Sequence, residues 1–134
     1  MKTKLAVSMG LLLAAAVPVF GHHSFAAEFD DKKPVTLKGT VTEWIWANPH
    51  CFLKFDAKDD TGAVRNWSVE TQNPTTMSSR GWRRTSFKAG DPVTVALQPV
   101  KNGAPVGRIV KVLLANGETL IAIGPQPDGA SPPQ

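Results

Sequence analysis

Residues 44–55 read WIWANPHCFLKF, two aromatic-rich halves joined by an Asn-Pro corner. In the second half, residues alternate with the period of two that marks a strand with one buried face. The predicted inner face carries Cys51, Leu53 and Phe55, and the outer face carries His50, Phe52 and Lys54. Because Pro49 has no amide hydrogen and restricts Asn48 to extended backbone, the corner is predicted to separate two strands. His50 would then begin the second strand and point away from the core.

The strand before this corner has its own alternation. Residues 35–42 predict a first strand with Val35, Leu37 and Val41 facing inward. Gly39 lies inside this strand and predicts a bulge or a bend, which would let the strand curl around a small barrel. The alternation slips at residues 43–46, so the sequence assigns no faces there.

A third strand is predicted at residues 63–70, after the turn residues 59–62, with Trp67 and Val69 facing inward. If inward-facing residues of the second strand lie opposite inward-facing residues of the third, the two residue numbers of each pair must sum to 120 or 122. Either register places Glu70 on the outer face, opposite or diagonal to His50.

The rest of the chain predicts one helix and further strands. Asn73 is a suitable N-cap, Pro74 suits the first helical position and Gly81 suits the stop, so we expect about two turns held by Met77 and Trp82. Strands are then predicted at residues 93–97, 107–114 and 119–123. Three strands, a short helix and two strands are the order of an OB-fold, a five-stranded Greek-key barrel in an all-β class. Another small barrel or sandwich with the same strand count is the alternative.

The chain start predicts export. Residues 1–4 are a short basic start and residues 5–20 are apolar, followed by Gly21, which together predict a secretory signal over residues 1–21. A membrane anchor is the alternative, but this apolar run is shorter than the roughly 20 residues that a spanning helix needs. The remaining boundaries are an N-terminal arm at 22–33, the barrel at 34–123 and a disordered Pro/Gly-rich tail at 124–134. The protein is therefore expected in the periplasm or outside the cell, without a membrane span after cleavage.

Charge and cysteine content exclude two classes of protein. Without Lys2 and Lys4 the chain keeps 13 basic and 11 acidic side chains, so its formal charge falls from +4 to +2 and does not indicate a nucleic-acid partner. Cys51 is the single cysteine, so a disulfide scaffold is excluded and a buried, inert thiol is expected. An intermolecular or metal-bound thiol is the alternative, and a monomer is the predicted oligomeric state.

Five short motifs follow one another along the chain. They are His22-His23-Ser24-Phe25, Asn48-Pro49-His50, Trp67 with Glu70, Arg80-Gly81-Trp82 and Lys88-Ala89-Gly90-Asp91. With these motifs in this order, the chain resembles an uncharacterised family of short secreted bacterial OB-like proteins, a domain of unknown function. The resemblance covers nearly all of residues 22–120 and implies no established reaction. In that family the position of Cys51 is expected to vary, which disfavours a mechanism that uses its thiol.

The three histidines suggest a metal site. If cleavage falls after Gly21, His22 carries a free α-amine beside its imidazole and can chelate, and His50 can supply a third nitrogen. Such nitrogen ligands suit Cu(II) best and also Zn and Ni, and the ligand set resembles that of histidine-brace copper proteins. His23 is a substitute ligand. Glu70 is predicted to accept a hydrogen bond from the His50 ring and so to orient it, without binding the metal itself. The alternative is that His22 and His23 are solvated and that His50 caps a strand.

A metal-independent binding module is the competing hypothesis. OB barrels bind extended ligands across one face, so a peptide, saccharide or protein partner is expected in that case. The candidate surface consists of Trp46 (or Trp44), Phe52, Trp82, Arg83 and Arg84, together with Arg80. The alternative is that Trp82 belongs to the core and that Arg83 and Arg84 form a solvated turn. An enzyme is less favoured than either, and no catalytic residue is predicted.

Overall fold

The structure is a computed structural model that describes residues 28–126, which form six strands and one short helix. The strands are β1 (Val35–Ile45), β2 (Phe52–Lys58), β3 (Val64–Glu70), β4 (Pro92–Pro99), β5 (Val106–Leu114) and β6 (Thr119–Ile121), and the helix is α1 (Pro74–Ser79). The predicted signal at 1–21, arm residues 22–27 and tail residues 127–134 lie outside the described residues. Within the described part, no helix is long and apolar enough to cross a membrane.

The strands form one sheet in the order β3-β2-β1-β4-β5-β6, and a further pairing joins β3 to β5. That pairing is parallel and aligns Ser68 with Val106 and Glu70 with Arg108, whereas the other pairs are antiparallel. It closes the first five strands into a barrel, and α1 connects β3 to β4. The predicted five-stranded OB-fold-like barrel with one short helix between strands 3 and 4 is confirmed.

The β2–β3 register agrees with one of the two predicted values. Leu53 pairs with Val69 and Phe55 pairs with Trp67, so paired numbers sum to 122. Leu53, Phe55 and Val69 are fully buried, as the alternation predicts. Trp67 faces the core but is only partly buried, and the Arg65 guanidinium lies over its ring, 5.8 Å from the centroid. This register places Glu70 opposite Phe52 on the outer face.

Strand β1 explains the slip in the sequence alternation. Its register against β2 shifts between Val41 and Glu43, so that Val41 pairs with Phe55 and Trp44 pairs with Leu53. The bulge therefore lies beyond Gly39, which serves instead as a point of close approach. A Cβ atom at Gly39 would collide with the carbonyl oxygen of Asp56 in the neighbouring strand. The sequence predicted the irregularity and the strand in which it lies, but not its position.

The helix begins and ends where its capping residues predict. The Asn73 side chain accepts a hydrogen bond from the Thr76 amide at 3.0 Å, and Pro74 is the first helical residue. Gly81 follows with a φ of 86°, a left-handed conformation that glycine adopts without steric cost. Met77 and Trp82 are fully buried in the main core. These two side chains anchor a helix of only six residues, which would not be stable alone.

Candidate functional site

His50 lies in the corner between β1 and β2, after a cis Asn48–Pro49 peptide bond and two residues before β2 begins. Its Nδ1 atom is 2.8 Å from the carbonyl oxygen of Thr71. Since a carbonyl oxygen only accepts hydrogen bonds, Nδ1 must carry the proton, and in the neutral ring the lone pair then resides on Nε2. Histidines that ligate metals through one nitrogen usually donate the other ring N–H in this way.

Backbone pairing holds the acceptor of this hydrogen bond in place. The Thr71 amide donates to the Cys51 carbonyl at 2.9 Å, and the Cys51 amide donates to the Gln72 carbonyl at 3.2 Å. Thr71 is only 5% exposed, and its hydroxyl donates to the Gln72 carbonyl. Hydrogen bonding between the β2 and β3 chains thus continues past both strand ends, and it sets the orientation of the His50 ring. The acceptor for Nδ1 is thus the Thr71 carbonyl, and an orienting role for Glu70 stays a prediction.

Glu70 lies beside this corner as a half-buried carboxylate on the outer face. It pairs with Phe52, which follows His50 by two residues, and is aligned with Arg108 in the parallel β3–β5 pair. Burial raises the pKa of Glu70, the His50 ring and the Arg108 guanidinium lower it, and the Glu28 carboxylate raises it further. The charges of the His50 ring and of the Glu28 carboxylate in the N-terminal arm therefore both act on Glu70.

The described part of the N-terminal arm is attached to the barrel. The Lys101 amide donates to the Glu28 carbonyl at 3.1 Å, and the Asp30 amide donates to the Pro99 carbonyl at 2.8 Å. Between them Phe29 forms a β-bridge with Val100 and is only 4% exposed. Phe29 thus docks this part of the arm on the barrel, and Phe25 lies outside the described residues.

The three predicted histidine ligands have different outcomes. His50 lies on the barrel as described, whereas His22 and His23 lie outside the described residues. Residues 28–126 contain no group of three or more His, Cys, Asp or Glu side chains arranged to hold a metal ion.

The predicted ligand-binding residues separate into two places. Phe52 lies on the outer face opposite Glu70, beside the His50 corner. Trp46 is partly buried and contacts Trp44, with ring centroids 5.7 Å apart, and Trp44 in turn lies 5.0 Å from Phe87. The Trp44 indole N–H donates to the Arg83 carbonyl at 3.1 Å. A row of aromatic rings therefore runs from the core to the surface at Trp46.

Trp82 is a correction to the predicted binding surface. Its side chain is 0% exposed, its indole N–H donates to the Ile121 carbonyl at 3.1 Å, and its ring packs against Phe87. The structure thus favours the alternative that Trp82 belongs to the core. Arg83 and Arg84 are exposed, and one Arg83 Nη1 atom donates to the carbonyls of Ser78 and Trp82.

Cys51 is a free, fully buried thiol, as the alternation predicts. Burial raises its pKa, while hydrogen bonds involving the Ala47 backbone and the Thr71 side chain, and the charge of Arg84, lower it to a smaller extent. A thiol with a raised pKa and no exposure is a poor nucleophile and a poor metal ligand. Cys51 therefore acts as a small core residue.

Sequence reasoning missed three residues of this corner: Glu28, Thr71 and Arg108. Thr71 acts through its backbone carbonyl, which no residue type reveals. Arg108 alternates with the buried Gly107 and Ile109 in β5, so its outward position was readable from the sequence, but its alignment with Glu70 was not. Glu28 precedes Phe29, whose burial against the barrel is a tertiary contact that the local pattern does not show.

Comparisons with known proteins place the chain in a family without assigning an activity. No curated protein and no solved structure matches the chain. A family model described as "Family of unknown function (DUF6152)" matches residues 9–110, more than half of the chain. The match agrees with the resemblance to an uncharacterised family. The chain therefore belongs to the family of unknown function DUF6152, as a small β-barrel member of it.

Proposed function

We propose that this protein is an exported β-barrel that binds a transition metal, with copper favoured, through His50 and the mature N-terminal His22. One observation carries the proposal. The His50 ring is held through Nδ1 by the Thr71 carbonyl, and the described base of the arm that leads to His22 is attached to the barrel.

The ligand chemistry favours copper. An N-terminal His22 offers its α-amine and its imidazole, and Nε2 of His50 adds a third nitrogen. Nitrogen-rich ligand sets favour Cu(II) over the other divalent first-row metals. The half-buried Glu70 carboxylate adds negative charge beside His50, which strengthens the attraction for a cation. His23 is the substitute if His22 does not chelate.

The length of the arm limits how far His22 can reach. His22 lies six residues before Glu28, so that segment spans at most about 20 Å when extended. Ordering it costs on the order of 1 kcal/mol or more for each residue. The burial of Phe29 fixes the base of the arm on the barrel.

Export and cleavage are the first testable part of the proposal. When the full chain is produced in a bacterial host, we expect the exported protein to begin at His22, because the basic start and the apolar run at 5–20 direct cleavage after Gly21. Intact-mass measurement of the periplasmic and secreted fractions tests this. A product that retains residues 1–21 would contradict the predicted compartment and remove the free amine on which the chelate depends.

Copper titration tests the site itself. For protein that begins at His22, we expect one Cu(II) ion per chain in isothermal titration calorimetry. Substituting His50→Ala should weaken binding by about a hundredfold or more, since losing an outer orienting group alone costs roughly 10–100-fold. Glu70→Gln should have that smaller effect, and His23→Ala should show whether His23 substitutes for His22.

The controls separate a barrel site from simple binding at the chain end. One additional residue before His22 should abolish the chelate, because it moves the free amine away from the His22 ring. Lys54→Ala, also on the outer face of β2, should leave the affinity unchanged. If His50→Ala binds copper as tightly as the parent, the metal belongs to the His22-His23 terminus alone and the barrel has another function.

A metal-independent binding module is the second candidate, and the row of aromatic rings favours it. Trp46 is partly exposed at the end of this row, and the exposed Arg83 and Arg84 follow the buried Trp82 that packs inside it. Exposed aromatic and basic side chains suit a peptide, a saccharide or a protein partner. This function requires neither a free N-terminal amine nor His50, so the copper titration distinguishes the two candidates.

A further inference from the structure

We infer that the surface formed by Arg83, Arg84 and Trp46 binds an acidic peptide segment of a partner protein, with the Arg83 guanidinium holding one of its carboxylates. This role rests on the second candidate above, the metal-independent binding module, and it names the chemical class of the ligand. All three residues belong to the described part of the chain, and copper takes no part in the interaction.

Arg83 is held in place through both its backbone and its side chain. Its carbonyl accepts hydrogen bonds from the Ser86 amide at 3.0 Å and from the Trp44 indole N–H at 3.1 Å, and its amide donates to the Ser86 hydroxyl at 2.8 Å. Its Nη1 atom donates to the carbonyls of Ser78 and Trp82 at 3.1 and 3.0 Å. The guanidinium is therefore oriented before any ligand arrives.

The other edge of this guanidinium is available to a ligand. The two carbonyls use both Nη1 hydrogens, whereas no acceptor within residues 28–126 is bonded to Nε or Nη2 of Arg83. Nε and Nη2 together donate two parallel hydrogen bonds, and a carboxylate accepts both at once. Because Arg83 is exposed, a carboxylate from solvent can reach it.

The chain around Arg83 is positively charged. Residues 71–90 contain no acidic residue and four basic residues, namely Arg80, Arg83, Arg84 and Lys88. Lys88 already has a partner, since its Nζ atom lies 4.0 Å from the Asp91 carboxylate. Arg84 is exposed, and neither a hydrogen bond nor an ion pair joins its side chain to another described residue. Exposed cations of this kind attract a ligand of opposite charge.

Trp46 adds an apolar contact next to these cations. Its ring centroid lies 5.7 Å from that of Trp44, the residue whose indole binds the Arg83 carbonyl. An acidic peptide offers both carboxylates and apolar side chains, and arginine clusters recur in the recognition of acidic motifs. A saccharide would stack on an open ring face, but Trp46 is partly buried against the core. The surface therefore fits an acidic peptide better than an acidic saccharide.

Fluorescence anisotropy of labelled probes tests this binding, with the protein produced from the full chain. The probes are a short peptide of alternating Glu and Leu, the same peptide with Gln in place of Glu, and an oligouronate with as many carboxylates as the acidic peptide. We expect the acidic peptide to bind roughly tenfold or more tightly than either other probe, because charge-assisted hydrogen bonds are the stronger kind. Added salt should weaken this binding by screening the exposed charges.

Substitutions separate the two arginines. Arg83→Met should weaken binding of the acidic peptide by roughly tenfold or more, and Arg83→Lys nearly as much, because lysine keeps the charge without the two-donor edge. Arg84→Met removes an exposed charge and should weaken binding by about two- to fivefold. Arg65→Met is the matched control, since this guanidinium lies over Trp67 and donates to the Gly103 carbonyl. It should leave the affinity unchanged.

The possible failures are distinguishable. Equal binding of the acidic and neutral peptides, or unchanged affinity in Arg83→Met, overturns carboxylate recognition and leaves a binding module in place. Tighter binding of the oligouronate than of the acidic peptide overturns the choice of a peptide. A parent that binds none of the probes overturns the inference and the peptide form of the second candidate together. Arg83→Lys and Arg84→Met supply the same test if Arg83→Met does not fold, and the copper titration is independent of all these results.

Discussion

Trp82→Ala is expected to lower the free energy of unfolding by about 3–5 kcal/mol, the cost of emptying a large core site. The Trp82 side chain is completely buried among Met77, Phe87 and the partly buried Trp44. Its removal also leaves the Ile121 carbonyl without the indole donor that lies 3.1 Å away. Because domains of this size are stable by only about 5–15 kcal/mol, this one substitution removes a large share of the total.

Urea unfolding followed by far-ultraviolet circular dichroism measures this loss, and Trp67→Ala is the matched control. Both variants delete the same side chain, but Trp67 is only partly buried and has Arg65 over its exposed face. Its loss should cost about 1–2 kcal/mol, in proportion to the smaller apolar area removed from water. Equal losses in the two variants would contradict the assignment of Trp82 to the core.

Gly39→Ala is expected to destabilise the barrel by about 1–3 kcal/mol, the usual cost of forcing an extra carbon into a packed site. The new Cβ would collide with the Asp56 carbonyl oxygen and lie 2.8 Å from a ring carbon of Phe55. The oxygen belongs to the backbone of β2 and the ring is fully buried, so neither can move away freely. The direction of this change in stability is informative, because alanine in place of glycine ordinarily stabilises a strand by roughly 0.5–1 kcal/mol.

The same urea experiment measures this effect, with Thr40→Ala as the control. Thr40 is the next residue of β1 and is exposed, so its substitution should change the stability by no more than about 0.5 kcal/mol. A Gly39→Ala variant as stable as the parent would mean that β1 and β2 do not approach each other as closely as described. Such a result would also remove the reason for glycine at this position.

The sequence alone determined the features that depend on neighbouring residues. Alternation assigned the faces of β2 and limited the β2–β3 register to two values, one of which is found. Asn73, Pro74 and Gly81 predicted the start and end of α1, because capping depends on atoms within a few residues. The same rule, that paired residue numbers must sum to 120 or 122, placed Glu70 on the outer face near His50 without any knowledge of the barrel.

Only the tertiary structure decided which residues from distant parts of the sequence lie next to one another. The parallel pairing of β3 with β5 aligns Glu70 with Arg108, and the burial of Phe29 brings Glu28 to the same place. Trp82 is buried completely and Trp67 only partly, a difference that their residue type does not reveal. The physical reason is that closure pairs residues about 40 positions apart in sequence, and local periodicity contains no information about which distant strand will supply the neighbour.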